Sequence, residues 1–227
     1  MLKDLIHLFF PHVCTGCGSD VIDSSNMLCL RCISEMPLTN FFEQPRNPVE
    51  EKFYGRMPVR HAAAAYYFTK NSMLENLVYQ LKYRGNKSIG VYLGKLMGEQ
   101  LKQSPQFQSV DAIIPLPLNK RREKKRGYNQ ATALANGIHS IWNKPVLDKA
   151  VVRKIYTETQ TKKDRLSRWE NMQGVFDIAQ PEALRGKHLL LVDDVVTTGA
   201  SLETCGIEIL KVSGATLSVA TLACTMQ

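Results

Sequence analysis

The chain has 227 residues, of which 44% are hydrophobic and 22% are charged, proportions that are typical of a globular protein. They exclude a collagen-like or wholly disordered chain, and no apolar stretch reaches the roughly 18 residues that a transmembrane helix needs. Lysine and arginine number 29 against 21 acidic residues, which gives a net charge of +8. The length predicts one full domain and a second, smaller one.

The N-terminal segment 2–10 is apolar but short, and Asp4 interrupts it. Its apolar positions follow helical spacing, which predicts a short amphipathic helix. The segment lacks a small-residue cleavage site, so we do not interpret it as a signal peptide and expect the chain in the cytoplasm. We favour docking of this helix on the body of the protein. The alternative is docking on a membrane-bound partner, at the inner face of the cell membrane.

Two Cys-x-x-Cys pairs follow, formed by Cys14, Cys17, Cys29 and Cys32. In a reducing compartment such pairs favour metal binding over disulfides. Four thiolates at about 2.3 Å satisfy a tetrahedral zinc ion and leave no open position, so we predict a structural zinc site. A redox pair or an iron–sulfur cluster is the alternative. Residues 1–36 are therefore predicted to be a helix and a zinc ribbon. Cys205 and Cys224 lie in apolar contexts and are predicted to be buried and unreactive.

Residues 37–60 contain four prolines and no regular apolar period, which predicts a linker. Residues 61–227 are predicted to form one α/β domain with a parallel sheet, because strand and helix patterns alternate. A capping box at Ser72 and Glu75 is predicted to open a helix that ends near Tyr83. The other predicted elements are strands at 61–68, 110–114, 151–155, 188–192 and 216–224, helices at 88–103, 128–142 and 200–211, and a polar loop or hairpin at 156–175.

Positive charge is concentrated in two stretches. Residues 120–126, which we predict to be a loop directly after a strand, carry a net charge of +5. A charge run is most often a solvated surface, but this position favours a site for a polyanion, a phosphorylated ligand or an anionic membrane surface. Lysine and arginine recur within 162–168. The candidate nucleic-acid contacts are therefore Arg122, Lys124, Lys125, Lys162, Lys163, Arg165 and Arg168.

The segment 189–201 has the most specific pattern in the chain. An apolar strand leads to Asp193 and Asp194, and then to small and hydroxyl residues at the start of a helix. Ligands of α/β sheets bind at the carboxyl ends of strands, and the N–H groups at a helix start attract anions. Two adjacent carboxylates can accept hydrogen bonds from a ribose diol or help to hold hydrated Mg²⁺. The alternative is a pair of capping acids before an ordinary helix.

This segment resembles the phosphoribosyl pyrophosphate (PRPP) motif of type I phosphoribosyltransferases. The resemblance implies that Asp193 and Asp194 contact the ribose hydroxyls of PRPP, which binds with Mg²⁺. It implies a 5′-phosphate loop made of Val195, Val196, Thr197, Thr198, Gly199, Ala200 and Ser201. It also implies a pyrophosphate-binding and basic loop that contains Leu116, Pro117, Lys120, Arg121 and Arg126. Purine-salvage enzymes have an acid where this chain has Thr197, so no acid–base role is implied there.

Nearly the whole chain resembles the ComF competence family. The matching elements are the cysteine pairs, the segments 79–85 and 126–130, and the positions Thr157, Gln160, Arg168, Asn171 and Phe176. The resemblance implies a type I phosphoribosyltransferase-like parallel sheet flanked by helices, with a small N-terminal zinc ribbon. It also implies a role in natural transformation, in which the partners are PRPP, single-stranded DNA and the DNA-translocation machinery.

We favour a PRPP-binding protein that handles single-stranded DNA, in which basic residues follow the phosphates and Tyr128, Tyr156 and Trp169 stack on bases. One alternative is an active phosphoribosyltransferase whose acceptor the sequence does not identify. Another is a PRPP-sensing regulator. A glutamine amidophosphoribosyltransferase is not expected, because the N-terminal cysteines are assigned to metal and the chain offers no room for a glutaminase domain.

Overall fold

The structure is a computed structural model that describes residues 12–154 and 175–225. The predicted helix at 2–10 lies outside the described residues, and so does most of the predicted polar segment. The same holds for the predicted stacking residues Tyr156 and Trp169, for the predicted nucleic-acid contacts Lys162, Lys163, Arg165 and Arg168, and for the family-matching positions Thr157, Gln160 and Asn171.

A parallel sheet of four strands lies at the centre, in the order β1-β6-β5-β2. The strands are β1 (Ala62–Tyr67), β2 (Ala112–Pro115), β5 (His188–Val196) and β6 (Thr216–Cys224). The predicted parallel α/β sheet is thereby confirmed. Strand β6 lies inside the sheet, between β1 and β5, and is buried at every position after the first. Helices cover both faces of such a sheet, so its inner strands are largely apolar.

The helices over the described residues are α1 (Leu30–Ser34), α2 (Pro48–Glu51), α3 (Met73–Tyr83), α4 (Lys87–Gln103), α5 (Lys120–Arg126), α6 (Gln130–Trp142), α7 (Pro181–Leu184) and α8 (Ala200–Leu210), with a 3₁₀ turn at Pro105–Phe107. Helix α3 begins at its predicted cap, where the Ser72 hydroxyl accepts a hydrogen bond from the N–H of Glu75 at 3.1 Å. Its buried face is made of Leu74, Leu77, Val78 and Leu81.

The basic stretch 120–126 is the helix α5, not the predicted loop. The Asn119 side chain accepts a hydrogen bond from the N–H of Arg121 at 3.0 Å, and Gly127 ends the helix with a φ of +81°. Lysine, arginine and glutamate are good helix formers, and asparagine and glycine are typical caps. No residue of α5 is buried, so the helix lacks the apolar period by which a sequence reveals helices.

The predicted linker 37–60 is packed into the core instead of connecting two bodies. Its buried side chains are Thr39, Phe41, Phe42, Asn47, Val49, Glu50, Phe53 and Met57. The amide of Asn47 donates to the carbonyl of Ala62 on β1 at 2.9 Å, and Glu50 accepts from the N–H of Ala62 at 3.3 Å. The segment is therefore fastened to the edge of the sheet. Its apolar residues follow no helical or strand period, which is why the pattern gave no sign of burial.

A second, two-stranded sheet pairs β3 (Val151–Arg153) with β4 (Phe176–Ile178) in antiparallel register, with Val152 opposite Asp177. These strands lie at the two ends of the segment predicted to be a loop or hairpin. Within the described ranges, no helix is long and apolar enough to cross a membrane.

Candidate functional site

Two adjacent carboxylates lie at the carboxyl end of β5, which runs past its predicted end at Val192 to Val196. Asp193 is partly buried, and Asp194 is only 7% exposed. Asp193 Oδ1 accepts a hydrogen bond from the N–H of Asp194 at 2.8 Å, and Asp194 Oδ1 accepts one from the N–H of Val195 at 2.7 Å. Both acids therefore have fixed positions at the sheet edge where α/β folds bind ligands.

A cation contacts this acid pair: Nζ of Lys82, on α3, lies 3.0 Å from Asp194 Oδ1. Burial raises the pKa of Asp193, and the negative charge of Asp194 raises it further, whereas Lys82 and Arg126 act in the opposite direction. The two carboxylates thus repel each other in a poorly solvated place. A ligand that offers hydroxyl donors or a cation there would relieve this repulsion.

The turn after the acid pair presents hydroxyl groups around the start of α8. Thr197, Thr198 and Ser201 are exposed, whereas Gly199 is buried and adopts a φ of +76°. Gly199, the residue before the helix, has no side chain to cap it, and the Thr198 hydroxyl accepts a long hydrogen bond, of 3.5 Å, from the N–H of Ala200. The first N–H groups of a helix have no partner within it, so this end is suited to an anion. Val195 and Val196, predicted in the phosphate loop, instead belong to β5 and pair with β6.

The segment 37–60 packs against this turn and supports it. A Cβ atom on Gly199 would lie 2.9 Å from the ring of Phe53, so the turn rests directly on that ring. The Arg56 guanidinium donates to the carbonyl of Thr198 at 2.9 Å and forms an ion pair with Glu203 on α8. Sequence analysis missed these supporting residues because it assigned them to a linker. The buried aromatic side chains carry no motif that could have revealed their role.

The predicted pyrophosphate loop follows β2, but its first two residues offer no free N–H group. The N–H of Leu116 donates to the carbonyl of Val192 at 2.8 Å and so continues the sheet. Pro117 has no N–H. The carbonyl of Leu116 accepts a hydrogen bond from the Asn129 amide at 2.9 Å, which ties the 126–130 element to this turn. Any backbone N–H group that binds a ligand here must therefore belong to a later residue of the turn.

The basic helix α5 divides its side chains between two cavities. Arg122, Lys125 and Arg126 line a cavity of about 340 Å³ together with Lys82 and Tyr83. Lys120 lines a cavity of about 380 Å³ that also includes Pro117 and Arg153. Lys124 and Arg121 are exposed on the same helix. The structure thus brings three predicted cations close to the Lys82–Asp194 pair.

Tyr128, predicted to stack on bases, instead has a role inside the protein. Its hydroxyl donates to the carbonyl of Leu81, and burial raises its pKa to about 12. The exposed aromatic rings near the basic helix are those of Tyr79 and Tyr83, which the sequence analysis did not single out as stacking residues.

The four N-terminal cysteines converge, with all Sγ atoms within 4.8 Å of one another and those of Cys17 and Cys29 at 3.7 Å. A tetrahedral ion with Zn–S bonds of about 2.3 Å needs sulfur atoms about 3.8 Å apart. Burial opposes ionisation of Cys14, but hydrogen bonds from the backbone N–H groups of Cys29, Cys17 and Gly16 outweigh it and lower the pKa to about 6. The cluster can therefore hold one metal ion, and its donor set fits the predicted structural zinc.

This cysteine cluster packs on the start of α3. A Cβ atom on Gly16 would lie 2.8 Å from Met73 Sδ, and the Gln80 amide donates to the carbonyl of Thr15 at 3.3 Å. Away from the cluster, Cys205 and Cys224 are buried, and burial raises the pKa of both thiols. Their predicted burial is confirmed.

Comparison with characterised proteins gives relatives of one kind, although no family model matches the chain. The DNA utilization protein YhgH of Shigella flexneri is 31% identical over 153 residues, which cover 64% of this chain and 65% of that protein. Competence protein F of Haemophilus influenzae is 28% identical over 202 residues, 87% of this chain and 83% of that protein. Competence protein ComFC of Bacillus subtilis is 30% identical over 136 residues, 60% of this chain and 52% of that protein. The predicted resemblance to the ComF competence family is confirmed.

Solved structures resemble part of the chain more distantly. A glutamine PRPP amidotransferase from Bacillus subtilis aligns over 63% of this chain and 30% of its own, with a TM-score of 0.46 and 13% identity. A Neisseria gonorrhoeae protein with bound ppGpp aligns over 62% of this chain and 69% of its own, with a TM-score of 0.40 and 22% identity. A purine phosphoribosyltransferase from Pyrococcus horikoshii aligns over 58% of this chain and 71% of its own, with a TM-score of 0.35 and 22% identity. Likenesses at this level carry no argument about ligand or activity.

Proposed function

We propose that this relative of the ComF competence proteins binds PRPP with Mg²⁺ and handles single-stranded DNA in the cytoplasm during natural transformation. The observation that carries the PRPP part is the acid pair at the end of β5, followed by a helix start at which Gly199 offers no capping side chain and hydroxyl groups are exposed. The DNA part is supported by the names of the relatives, which are competence and DNA utilization proteins. The DNA-translocation machinery is the partner that this role requires.

In this proposal each part of the site meets one part of PRPP. Asp193 and Asp194 accept hydrogen bonds from the ribose hydroxyls and help to hold Mg²⁺ through water. Thr197, Thr198 and Ser201 donate to the 5′-phosphate, which lies at the start of α8. Because Lys82 pairs with Asp194 at 3.0 Å, it must share that carboxylate with the ribose or move toward a phosphate of the ligand.

The PRPP part is tested by calorimetric titration of PRPP and Mg²⁺ into the wild type and into an Asp193→Asn/Asp194→Asn variant. We expect saturable binding by the wild type and none by the variant. Glu182→Gln is the matched control. Glu182 is an exposed acid of α7 that pairs with Arg185, and this variant should bind PRPP like the wild type. No binding by the wild type, or equal binding by the double variant, would contradict the assignment.

The DNA part is tested separately, by the fluorescence anisotropy of labelled oligonucleotides. We expect the chain to bind single strands of unrelated sequence, more weakly as salt rises. Preference for one duplex sequence would instead favour a PRPP-sensing regulator. Release of pyrophosphate from PRPP in the presence of an acceptor would favour an active phosphoribosyltransferase.

A further inference from the structure

An exposed pair of tyrosines lies on α3, outside the contacts that hold the fold together. Tyr79 and Tyr83 are one helical turn apart, with 49% and 59% of their surfaces exposed and ring centroids 5.2 Å apart. The helix packs on the core through its opposite, aliphatic face. Neighbouring aromatic rings that folding leaves in solvent mark an interaction surface more often than single exposed apolar residues do.

Cations from α5 adjoin this pair. The guanidinium of Arg126 lies 5.3 Å from the ring centroid of Tyr83, within the range of a cation–π contact. Arg122 and Lys125 line the cavity that contains Tyr83 and Arg126. The acid of this helix, Glu123, lines the other cavity. The face toward the tyrosines is therefore aromatic and positively charged.

We propose that Tyr79, Tyr83, Arg122, Lys125 and Arg126 form a base-stacking surface for single-stranded DNA. The inference rests on the proposed function, since it assumes that the chain binds single strands, and it names the residues that do so. A single strand exposes the flat faces of its bases, which stack on aromatic rings, while its phosphates need nearby cations. A duplex hides those faces. This surface, hereafter the stacking surface, offers both kinds of group side by side.

The stacking surface also adjoins the candidate PRPP site. Lys82 lies between the two tyrosines in the sequence, lines the same cavity as Tyr83 and pairs with Asp194. A strand on this surface would therefore lie beside the acid pair, not on a remote face of the molecule.

The test compares the wild type with Tyr79→Leu/Tyr83→Leu and with Tyr79→Phe/Tyr83→Phe. Each protein is titrated into a labelled thymidine oligonucleotide and into an abasic oligonucleotide of equal length and charge. We expect the leucine variant to bind the thymidine strand about tenfold more weakly than the wild type and the abasic strand equally well. The phenylalanine variant should bind both like the wild type, because it keeps the rings. Tyr54→Leu, an exposed tyrosine outside the surface, is a second control.

The outcomes separate this inference from the proposed function. If the wild type binds no single strand, the DNA part of the proposed function fails and the stacking surface fails with it. If the wild type binds and the leucine variant binds the thymidine strand equally well, the stacking surface alone is wrong. An equal loss on the abasic strand would overturn it too, because stacking needs bases. Thermal unfolding of each variant shows whether it is folded.

Discussion

The PRPP-motif turn and the stacking surface are neighbours, but they are built in opposite ways. The turn rests on the Phe53 ring, and the acid before it, Asp194, is buried. The stacking surface consists of exposed rings and of side chains from α5, a helix with no buried residue. Substitutions at the turn should therefore change stability as well as ligand binding. Substitutions on the stacking surface should change binding alone.

Metal removal should give the largest effect, and it tests whether the two regions are independent. The cysteine cluster packs on the start of α3, which carries both tyrosines. We expect Cys14→Ser to lose its zinc, to loosen the segment that covers this helix and to bind single strands more weakly, while PRPP binding persists through β5. Elemental analysis by mass spectrometry should find one zinc per wild-type chain and close to none in the variant.

Cys205→Ser is the matched control, because this buried thiol lies outside the cluster and its loss should leave the zinc content unchanged. A wild-type chain without zinc, or a Cys14→Ser variant that keeps it, would contradict the predicted zinc site. Equal loss of PRPP and DNA binding would show that the two regions are not independent.

The second largest effect is expected from a substitution at the contact between Gly199 and the Phe53 ring. Gly199→Ala places a Cβ atom at a φ of +76° and 2.9 Å from the Phe53 ring. We expect it to lower the free energy of unfolding by about 1–3 kcal/mol, as strained backbone positions do, and to weaken PRPP binding. Urea denaturation measures the first effect and calorimetry the second.

Gly85→Ala separates strain from contact. Gly85 also has a positive φ, of +65°, but nothing lies within 4 Å of its added Cβ atom. The Gly85→Ala variant should therefore lose only the stability that backbone strain costs, and it should keep PRPP binding. Equal losses of stability in the two variants, with PRPP binding retained in both, would show that the Phe53 contact does not shape the turn.

These features differ in how far the sequence reveals them. Apolar runs indicate the strands, the capping box indicates the start of α3, and the spacing of four cysteines indicates the cysteine cluster. Adjacent acids after a strand mark the candidate PRPP site. Each of these signals is local, so one segment of sequence is enough to recognise it.

Features made by contact between distant segments escaped the sequence analysis. Phe53 and Arg56 support a turn that lies far along the chain, and no local pattern links them to it. The spacing of α3 already assigns Tyr79 and Tyr83 to its solvent face. Only the fold shows that Arg126 lies over one of these rings. Helix α5 escaped because it has no apolar face.

Holding the two acids of β5 side by side should lower the stability of the folded chain at neutral pH. Burial and the charge of Asp194 raise the pKa of Asp193 in the folded chain above its ordinary value of 3.8. The folded state therefore holds this proton to a higher pH than the unfolded state does. Stability contributed at low pH is lost as the pH rises from 3.8 through the raised pKa.

Asp193→Asn removes this loss, so we expect the variant to be more stable than the wild type at neutral pH, by about 1 kcal/mol or 2–4 °C in Tm. The difference should shrink toward about pH 4, where the Asp193 carboxyl of the unfolded chain becomes protonated as well. Thermal unfolding across this range measures it, and Asp177→Asn, an exposed acid on β4, should show no such gain. A variant that is less stable at every pH would contradict the proposed repulsion.

The smallest expected effect is on the salt dependence of DNA binding at the stacking surface, where a substitution should change binding and leave stability unchanged. If Arg122 and Lys125 neutralise phosphates of the strand, replacing both by alanine should reduce the slope of log affinity against log salt by about 0.7 for each phosphate left without a cation. Anisotropy titrations with a single strand at several salt concentrations measure this slope. The unfolding free energy should stay unchanged, because neither side chain is buried.

Lys95→Ala/Lys102→Ala removes two exposed cations from α4 and should leave the slope unaltered. If both double variants keep the wild-type slope, the cations of α5 form only a solvated face, and single strands must bind elsewhere on the chain.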